Sequence, residues 1–359
     1  MKKLLIVTYI DFWRGGAGHA SRLTSIVNYL KDKVDLTVLF IGKYREKDDE
    51  ILSGQFQSIT VHFLEKYREL DINSYVKKFA QYMSGKFFDI ALLEYIEMYY
   101  LLDYIPDNTI KILDTHDLMS EKIISFKQYN LVYSGMRLDF DMEMEMFEAF
   151  DYIILINKLD HQKVSKKLSQ GKLLLIPHPS NLAKKQIRQT VSVISFIASE
   201  YAPNVDAIEY FLNEIWPSFL KYNLTLNIYG RVVEKIKRRN FSLMNVNLIG
   251  FVENLEDAYL KSDIIINPVR AGAGLKIKNV EALGNGLPLI TTSHGISGIE
   301  DARSSALLVA DDASEFIFSL ERLIDDFSLR ESLSRNAYSY AKKILSEDIC
   351  FAPLLSLLK

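Results

Sequence analysis

Residues 268–290 run Pro268-Val269-Arg270-Ala271-Gly272-Ala273-Gly274-Leu275-Lys276-Ile277-Lys278-Asn279-Val280-Glu281-Ala282-Leu283 and, after two further residues, Gly286-Leu287-Pro288-Leu289-Ile290. The pattern is a strand end, a glycine-rich loop, a helix, then a short turn into the next strand. Gly272 and Gly274 let the backbone come close to a ligand. A helix N-terminus behind them offers unpaired N–H groups and a positive dipole end, which suits a phosphate. Lys276 and Lys278 add mobile positive charge in the first turns. On a helix, Gly274, Lys278 and Glu281 fall at i, i+4 and i+7 and share one face. A cation near the phosphates and a carboxylate deeper along that face suit a nucleotide diphosphate and its ribose. An ordinary turn with solvated lysines accounts for a lone G-x-G loop. It does not account for the whole run with Glu281 and the turn at Gly286–Pro288.

Outward from this stretch, short apolar runs alternate with amphipathic ones. Candidate strands are Leu4–Tyr9, Leu36–Phe40, Ile90–Leu93, Ile110–Leu113, Tyr152–Ile156 and Leu173–Ile176. They resume at Val191–Ile197, Leu224–Tyr229, Asn247–Ile249, Asp263–Asn267, Leu287–Thr291 and Ala306–Val309. The runs are continuously apolar, as parallel strands buried on both faces are. Helical stripes such as Ala20, Leu23, Ile26, Val27 and Leu30 fall between them. This alternation predicts an α/β protein with parallel sheets and right-handed crossovers. So many strands are too many for one sheet, and Ser180–Thr190 is polar and rich in lysine and glutamine. The expected organisation is two doubly wound, Rossmann-like domains over 1–180 and 191–359, with a linker at 181–190.

The 359 residues suffice for two domains of about 100–200 residues each. Hydrophobic residues make up 48% and charged residues 25%, an ordinary globular balance. With a formal net charge of −3 and lysines spread along the chain, no basic stripe for nucleic acid is present. The single cysteine, Cys350, excludes an internal disulfide framework and fits a reducing, cytoplasmic compartment. It reads as a small buried hydrophobe. No run approaches 18 apolar residues, so no membrane-spanning helix is expected. The start, Lys2-Lys3-Leu4-Leu5-Ile6-Val7, has too short an apolar run for a signal peptide, and Asp11 and Arg14 follow at once.

Other candidate residues sit where strands end, the side on which ligands bind in open parallel sheets. Trp13-Arg14-Gly15-Gly16-Ala17-Gly18-His19 follows the first strand, and Gly15 and Gly16 allow close backbone approach. The spacing is not that of a dinucleotide fingerprint. Leu113-Asp114-Thr115-His116-Asp117 follows another strand, and His116 is a candidate to meet a substrate hydroxyl or the reacting carbon, with Asp117 a candidate to orient it. Arg231, after Tyr229-Gly230, is placed for a phosphate. Gly250-Phe251-Val252 offers backbone groups and an apolar surface to a flat base. The run from Asp141 to Glu148 reads as an amphipathic helix with its acids on the wet face. Asp48-Asp49-Glu50 and Asp139-Phe140-Asp141 are poor metal sites, since neither follows a convincing buried strand.

Taken together, Arg270-x-Gly272-x-Gly274-x-Lys276-x-Lys278-x-x-Glu281-Ala282-Leu283 with Gly286-x-Pro288 resembles the signature of the retaining glycosyltransferases of group 1, family 4. Gly15-Gly16, Thr115-His116-Asp117, Pro203-Asn204-Val205-Asp206, Gly230-Arg231 and Gly250-Phe251-Val252 support the resemblance. It implies the GT-B fold, two Rossmann-like domains facing across a cleft. It implies a nucleotide-diphosphate sugar held by the C-terminal domain. Glu281 would bind the ribose, with Lys278, Lys276 and Arg231 on the diphosphate. Gly15, Gly16, Gly272 and Gly274 would approach it, Phe251 and Val252 would lie by the base, and His116 beside the sugar. His116 and Lys278 are the implied catalytic residues. The helical region from about Ser332 would pack back on the N-terminal domain.

The implied activity is metal-independent transfer of a sugar, with retention, to a hydroxyl acceptor in bacterial surface glycan or glycoconjugate synthesis. No cofactor beyond the donor is expected, and the acceptor is a glycan, a lipid-linked sugar or a protein. Peripheral contact with the inner face of the membrane fits a lipid-linked acceptor. Acceptor contacts would fall in N-domain loops such as 46–57, 67–85 and 96–108. Many members carry two glutamates eight residues apart here, and the first position is Ala273. That departure keeps open a catalytically inactive GT-B partner subunit. A nucleotide-sugar 2-epimerase is a further alternative, but it needs several acid–base groups in the cleft, of which the sequence singles out His116.

Overall fold

A computed structural model describes residues 1–67, 71–237 and 243–358. The first sheet holds β1 (Lys3–Thr8), β2 (Asp35–Phe40), β3 (Thr60–Phe63), β4 (Ile90–Glu94), β5 (Ile110–Asp114), β6 (Tyr152–Leu155) and β7 (Leu173–Leu175). The second holds β8 (Val193–Ile197), β9 (Thr225–Tyr229), β10 (Val246–Gly250), β11 (Ile264–Asn267), β12 (Leu289–Thr291) and β13 (Leu308–Val309). The orders are β3-β2-β1-β4-β5-β6-β7 and β10-β9-β8-β11-β12-β13, with every pairing parallel. Strand order therefore reverses beside β1 and beside β8, and crevices open beyond the strand C-termini there.

β1 shows why the strands are continuously apolar. Leu4 and Ile6 join the core on one face of the sheet, while Leu5 and Val7 join the core on the other. β3 lies outside the strands expected from the sequence. It is an edge strand whose residues alternate between exposed and half-buried, so no apolar run announces it. The register of β4 on β5 pairs Ile90 with Ile110 and ends by pairing Glu94 with Asp114. Two acids are thereby set side by side at the C-terminal edge.

Residues between the sheets are bonded along the second one. Ser180 donates to the Val280 carbonyl at 3.0 Å, and the Lys185 ammonium to the Ser262 carbonyl. Arg330 donates to the Arg188 carbonyl at 3.3 Å. The helix Phe327–Ile344 places Ala337 and Ala341 in the second domain's core. The last helix, Glu347–Leu357, crosses back, with Phe351 and Leu354 in the first domain's core. The Phe351 ring lies 4.9 Å from that of Tyr29, and Lys2 Nζ donates to the Leu357 carbonyl at 3.1 Å. Cys350 is buried there, and burial pushes its thiol up to about 12. No helix among the described residues is long and apolar enough to cross a membrane.

The acid-rich helix spans Phe140–Glu148, and its Glu143 departs from the wet-face expectation. Glu143 is fully buried and accepts from the N–H groups of Met119 and Ser120 at 2.7 and 3.0 Å. It thereby satisfies donors left unpaired where the helix Met119–Gln128 begins.

Candidate active site between the two sheets

A cavity of 1270 Å³ lies where the C-terminal strand ends of the two sheets face each other. Gly15, Gly16, His116, Phe251, Val252, Gly272, Lys276, Lys278 and Glu281 all border it. Arg231 and Gly274 do not. Gly274 faces a smaller cavity of 610 Å³. Arg231 precedes the short helix Val232–Ile236, with its guanidinium 5.5 Å from the Phe251 ring centroid.

The second-domain wall follows β11. The helix begins at Ile277, so Gly274 belongs to the loop, and only Lys278 and Glu281 share a helical face. The reason is conformational: Gly272 and Gly274 have φ of +107° and +67°, outside the right-handed helix. The loop also meets the other domain. The Gly272 N–H donates to Ser125 Oγ at 2.9 Å. A Cβ on Gly274 would stand 2.8 Å from the His116 carbonyl oxygen, so a side chain there would push the domains apart.

Lys276 Nζ donates to the Ala273 and Gly274 carbonyls at 3.2 and 2.8 Å, which folds the lysine back onto the loop. Lys278 Nζ donates to Asn204 Oδ1 at 2.7 Å and lies 4.8 Å from the Phe196 ring centroid. Burial, with Lys276 alongside, pulls the Lys278 ammonium down to about 7; burial brings Lys276 to about 8. Two poorly solvated ammoniums side by side suit a multivalent anion. Glu281 accepts from the Tyr259 hydroxyl at 2.6 Å, and burial raises its pKa.

The first-domain wall is built from loops after β1, β4 and β5. Gly15 and Gly16 have φ of +61° and +84°, and a Cβ on Gly16 would come within 3.1 Å of the Phe251 ring. His116 stacks on Tyr95 with centroids 4.2 Å apart, and its Nε2 lies 2.5 Å from Glu94 Oε2. Tyr95 stacks in turn with Tyr9 at 5.6 Å. Tyr95 and His116 both sit at positive φ, 70° and 56°, at the ends of adjacent strands. Such strain in non-glycine residues collects at functional sites. Burial and the neighbouring Asp114 raise the Glu94 pKa.

Residues 191–326 match the family model described as group 1 glycosyl transferases. Over its C-terminal domain the chain is similar to the group 1 glycosyl transferases. The whole chain has the GT-B fold. It superposes on S. aureus TarM with a TM-score of 0.77 at 10% identity, covering 100% of both chains; that structure holds Fondaparinux, alpha-GlcNAc-glycerol and UDP. Against Anabaena HepE in complex with UDP and glucose the TM-score is 0.72 at 12% identity, covering 100% of this chain and 99% of that one. In sequence, the chain is 23% identical over 324 residues to an uncharacterized 44.6 kDa protein in the cps region of Klebsiella pneumoniae. That match covers 84% of this chain and 79% of the relative.

Several polar groups of this GT-B cleft were not singled out by sequence reasoning. Glu94, not Asp117, holds the His116 ring; Asp117 Oδ2 turns to Lys122 Nζ at 3.2 Å. Adjacency in sequence misled here because the two residues differ in direction at the strand end. Asn204 and Tyr259 hold Lys278 and Glu281. Tyr9, Tyr95 and Glu97 border the cavity, and their one sequence signal is position just beyond β1 and β4; His19, at the end of the quoted glycine stretch, borders it from the start of the helix Gly18–Leu30. Glu94, Asp114 and His116 bring ligand-type atoms within 4.8 Å of one another. The Arg22 guanidinium already grips Asp114 in a buried bidentate pair at 2.8 and 3.1 Å, supplying the countercharge a cation would bring.

Proposed function

We propose that the protein is a retaining glycosyltransferase that moves a sugar from a nucleotide-diphosphate donor to a hydroxyl acceptor in bacterial surface glycan synthesis. The observation that carries this reading is the desolvated Lys276–Lys278 pair beside Glu281, facing His116 across one cleft. The cps-region relative supports the glycan context, and UDP in the HepE and TarM structures supports the donor class.

In this reading Glu281 receives the ribose hydroxyls, and Lys276 and Lys278 meet the diphosphate; Arg231, outside the cavity lining and 5.5 Å from the Phe251 ring centroid, reaches it only by turning away from that ring. Gly15, Gly16 and the Gly272–Gly274 loop bring backbone against it, while Phe251 and Val252 flank the base. Negative charge grows on the departing diphosphate in the transition state, and fixed cations in a poorly solvated site stabilise it there most. Those cations take the place of a divalent metal, and no cofactor beyond the donor is drawn on. His116, held by Glu94, stands beside the sugar as Lys278 stands beside the phosphate. Retention follows from attack on the leaving-group face, with the leaving phosphate taking the acceptor proton. A lipid-linked acceptor would bring the enzyme to the inner face of the cytoplasmic membrane.

The test is a thermal-shift screen of nucleotide sugars, followed by donor hydrolysis and transfer with and without EDTA, the product anomer being read by NMR. Stabilisation by one nucleotide sugar, turnover unaffected by EDTA and a retained anomer are expected. Binding without any turnover would favour the inactive-subunit alternative, for which Ala273 speaks. Epimerase chemistry is favoured by the acid–base groups Glu97, Asp117 and His19 in the cavity. Release of a 2-epimerised sugar would identify it.

A further inference from the structure

Beneath His116 lies a buried cluster whose charges balance only with one added proton. Arg22, Glu94 and Asp114 are fully buried, and His116 is 6% exposed. The register of β4 on β5 sets Glu94 beside Asp114. Both Asp114 oxygens are taken by the Arg22 guanidinium, so that pair is neutral. Glu94 Oε2 faces His116 Nε2 at 2.5 Å, and Glu94 Oε1 is buried with no hydrogen-bond partner in the protein.

Among the described residues around this cluster, none supplies a second unpaired cation. His178 is buried, and burial with Arg22 alongside holds its imidazole down to about 3. On the cleft side stand His19, Glu97, Asp117 and Lys122. Burial holds His19 down to about 4, and Lys122 Nζ is paired with Asp117 at 3.2 Å. A Glu94 carboxylate beside a neutral His116 would therefore leave a net negative charge in the core, which is costly. Burial and Asp114 raise the Glu94 pKa in keeping with this.

One more proton makes the cluster neutral, and it belongs to the Glu94–His116 pair as a whole. Either the Glu94 acid donates to a bare Nε2, or an imidazolium donates to a carboxylate. In both arrangements His116 Nδ1 carries a hydrogen. His116 borders the cavity, and Nδ1 has no hydrogen bond among the described residues and is not sealed off from solvent. It is the nitrogen left to meet a ligand.

We infer that Glu94 is a positioning residue that keeps this proton on the pair, so that His116 meets its ligand as an N–H donor at Nδ1 and not as a base. The proton count rests on the cluster alone; that the ligand is an oxygen of the sugar donor rests on the glycosyltransferase reading. A fixed N–H donor stabilises an oxygen that gains negative charge. It cannot take the acceptor's proton, which leaves that step to the departing phosphate.

The experiment is nitrogen-15 NMR on the full chain labelled in its six histidine rings, with the His116 signals assigned by their loss in His116→Ala. The empty wild type at neutral pH should show a protonated Nδ1. Glu94→Gln can still donate an amide N–H to Nε2, so it should keep that signal and hydrolyse the nucleotide sugar found by thermal shift with kcat within about threefold. Glu94→Leu cannot; Nδ1 should lose its hydrogen and kcat should fall about tenfold with KM nearly unchanged. A bare Nδ1 in the wild type overturns the proposal, as does a Glu94→Leu variant that turns over like the wild type or changes KM alone. If Glu94→Leu does not fold, the wild-type and Glu94→Gln spectra decide, and a bare Nδ1 in either overturns it. A protonated Nδ1 in a protein that turns over no nucleotide sugar would instead overturn the glycosyltransferase reading.

Discussion

The two walls of the cleft are made in opposite ways. The second-domain wall is nearly local: Gly272, Lys276, Lys278 and Glu281 come from one loop and the helix that follows it. The first-domain wall is dispersed: Tyr9, His19, Tyr95 and His116 come from three strand ends and a helix. The second-domain wall presents Lys276 and Lys278 beside one carboxylate, Glu281, whereas the first mixes carboxylates, imidazoles and tyrosines with Arg14, Arg45, Lys47 and Lys122. The comparison teaches that anion binding can be encoded in a short motif, because backbone N–H groups and two lysines suffice. Recognition of hydroxyls and of a reacting carbon needs side chains converging from several elements.

The contrast is best broken at His116. His116→Ala should lower single-turnover transfer by about 100-fold while leaving donor affinity within a few-fold, since its contribution is made mainly in the transition state. The same change strands Glu94 in the core, at a cost of about 1–3 kcal/mol that a lower melting temperature would report, and His116→Ala with Glu94→Gln should recover most of it. Unchanged transfer would make His116 a structural histidine of the strand end.

On the opposite wall, Lys278→Ala should weaken a nucleoside diphosphate by about 1.5–3 kcal/mol, read by calorimetry. The bare nucleoside should be almost unaffected. Equal losses for both ligands would remove Lys278 from the phosphate site.

Lys276 and Lys278 should also make nucleotide binding depend on pH. Lys278 is brought to about 7 and Lys276 to about 8 in the empty protein, so near pH 8 the grip is partly deprotonated. A bound diphosphate favours the charged forms and raises both values, so binding takes up protons. Affinity for nucleoside diphosphate should therefore fall as pH rises from 7 to 9, by at most about tenfold per pH unit for each proton taken up. Calorimetry in two buffers of different ionisation heat measures the uptake; none at pH 8 would show that both lysines are already charged.

The smallest effect is expected at the deep end of the helix. Glu281→Gln should weaken the nucleotide by about 1 kcal/mol, since an amide oxygen accepts from vicinal hydroxyls less well than a carboxylate. A 2′,3′-dideoxy nucleotide should bind the wild type and the variant alike. If it binds the wild type as tightly as the natural nucleotide, Glu281 does not read the ribose.

Much of this architecture is legible in the chain because both faces of each sheet are covered. Burial on two sides demands uninterrupted apolar runs, as in Leu4–Val7, and those runs stand out between amphipathic helices. The edge strand Thr60–Phe63 escapes the same reading because one-sided, half-exposed pairing asks little of its side chains. In the site, the glycine loop is legible, whereas the start of its helix is misplaced by a turn. Positive φ at Gly272 and Gly274 is permitted by glycine but not announced by it.

The sequence by itself determined the alternation of strand and helix, two sheets, and a cationic glycine loop fit for a phosphate. These are local properties, set by period, burial and backbone freedom. Only the tertiary structure decided that Glu94 pairs in register with Asp114 and so reaches His116, and that Gly274 presses on the His116 carbonyl across the cleft. It alone gathered Tyr9, Tyr95, Glu97 and Asp117 around one cavity. Contacts of that kind depend on strand register and on the docking of two domains, and residues this far apart in the chain carry no periodicity that could foretell them.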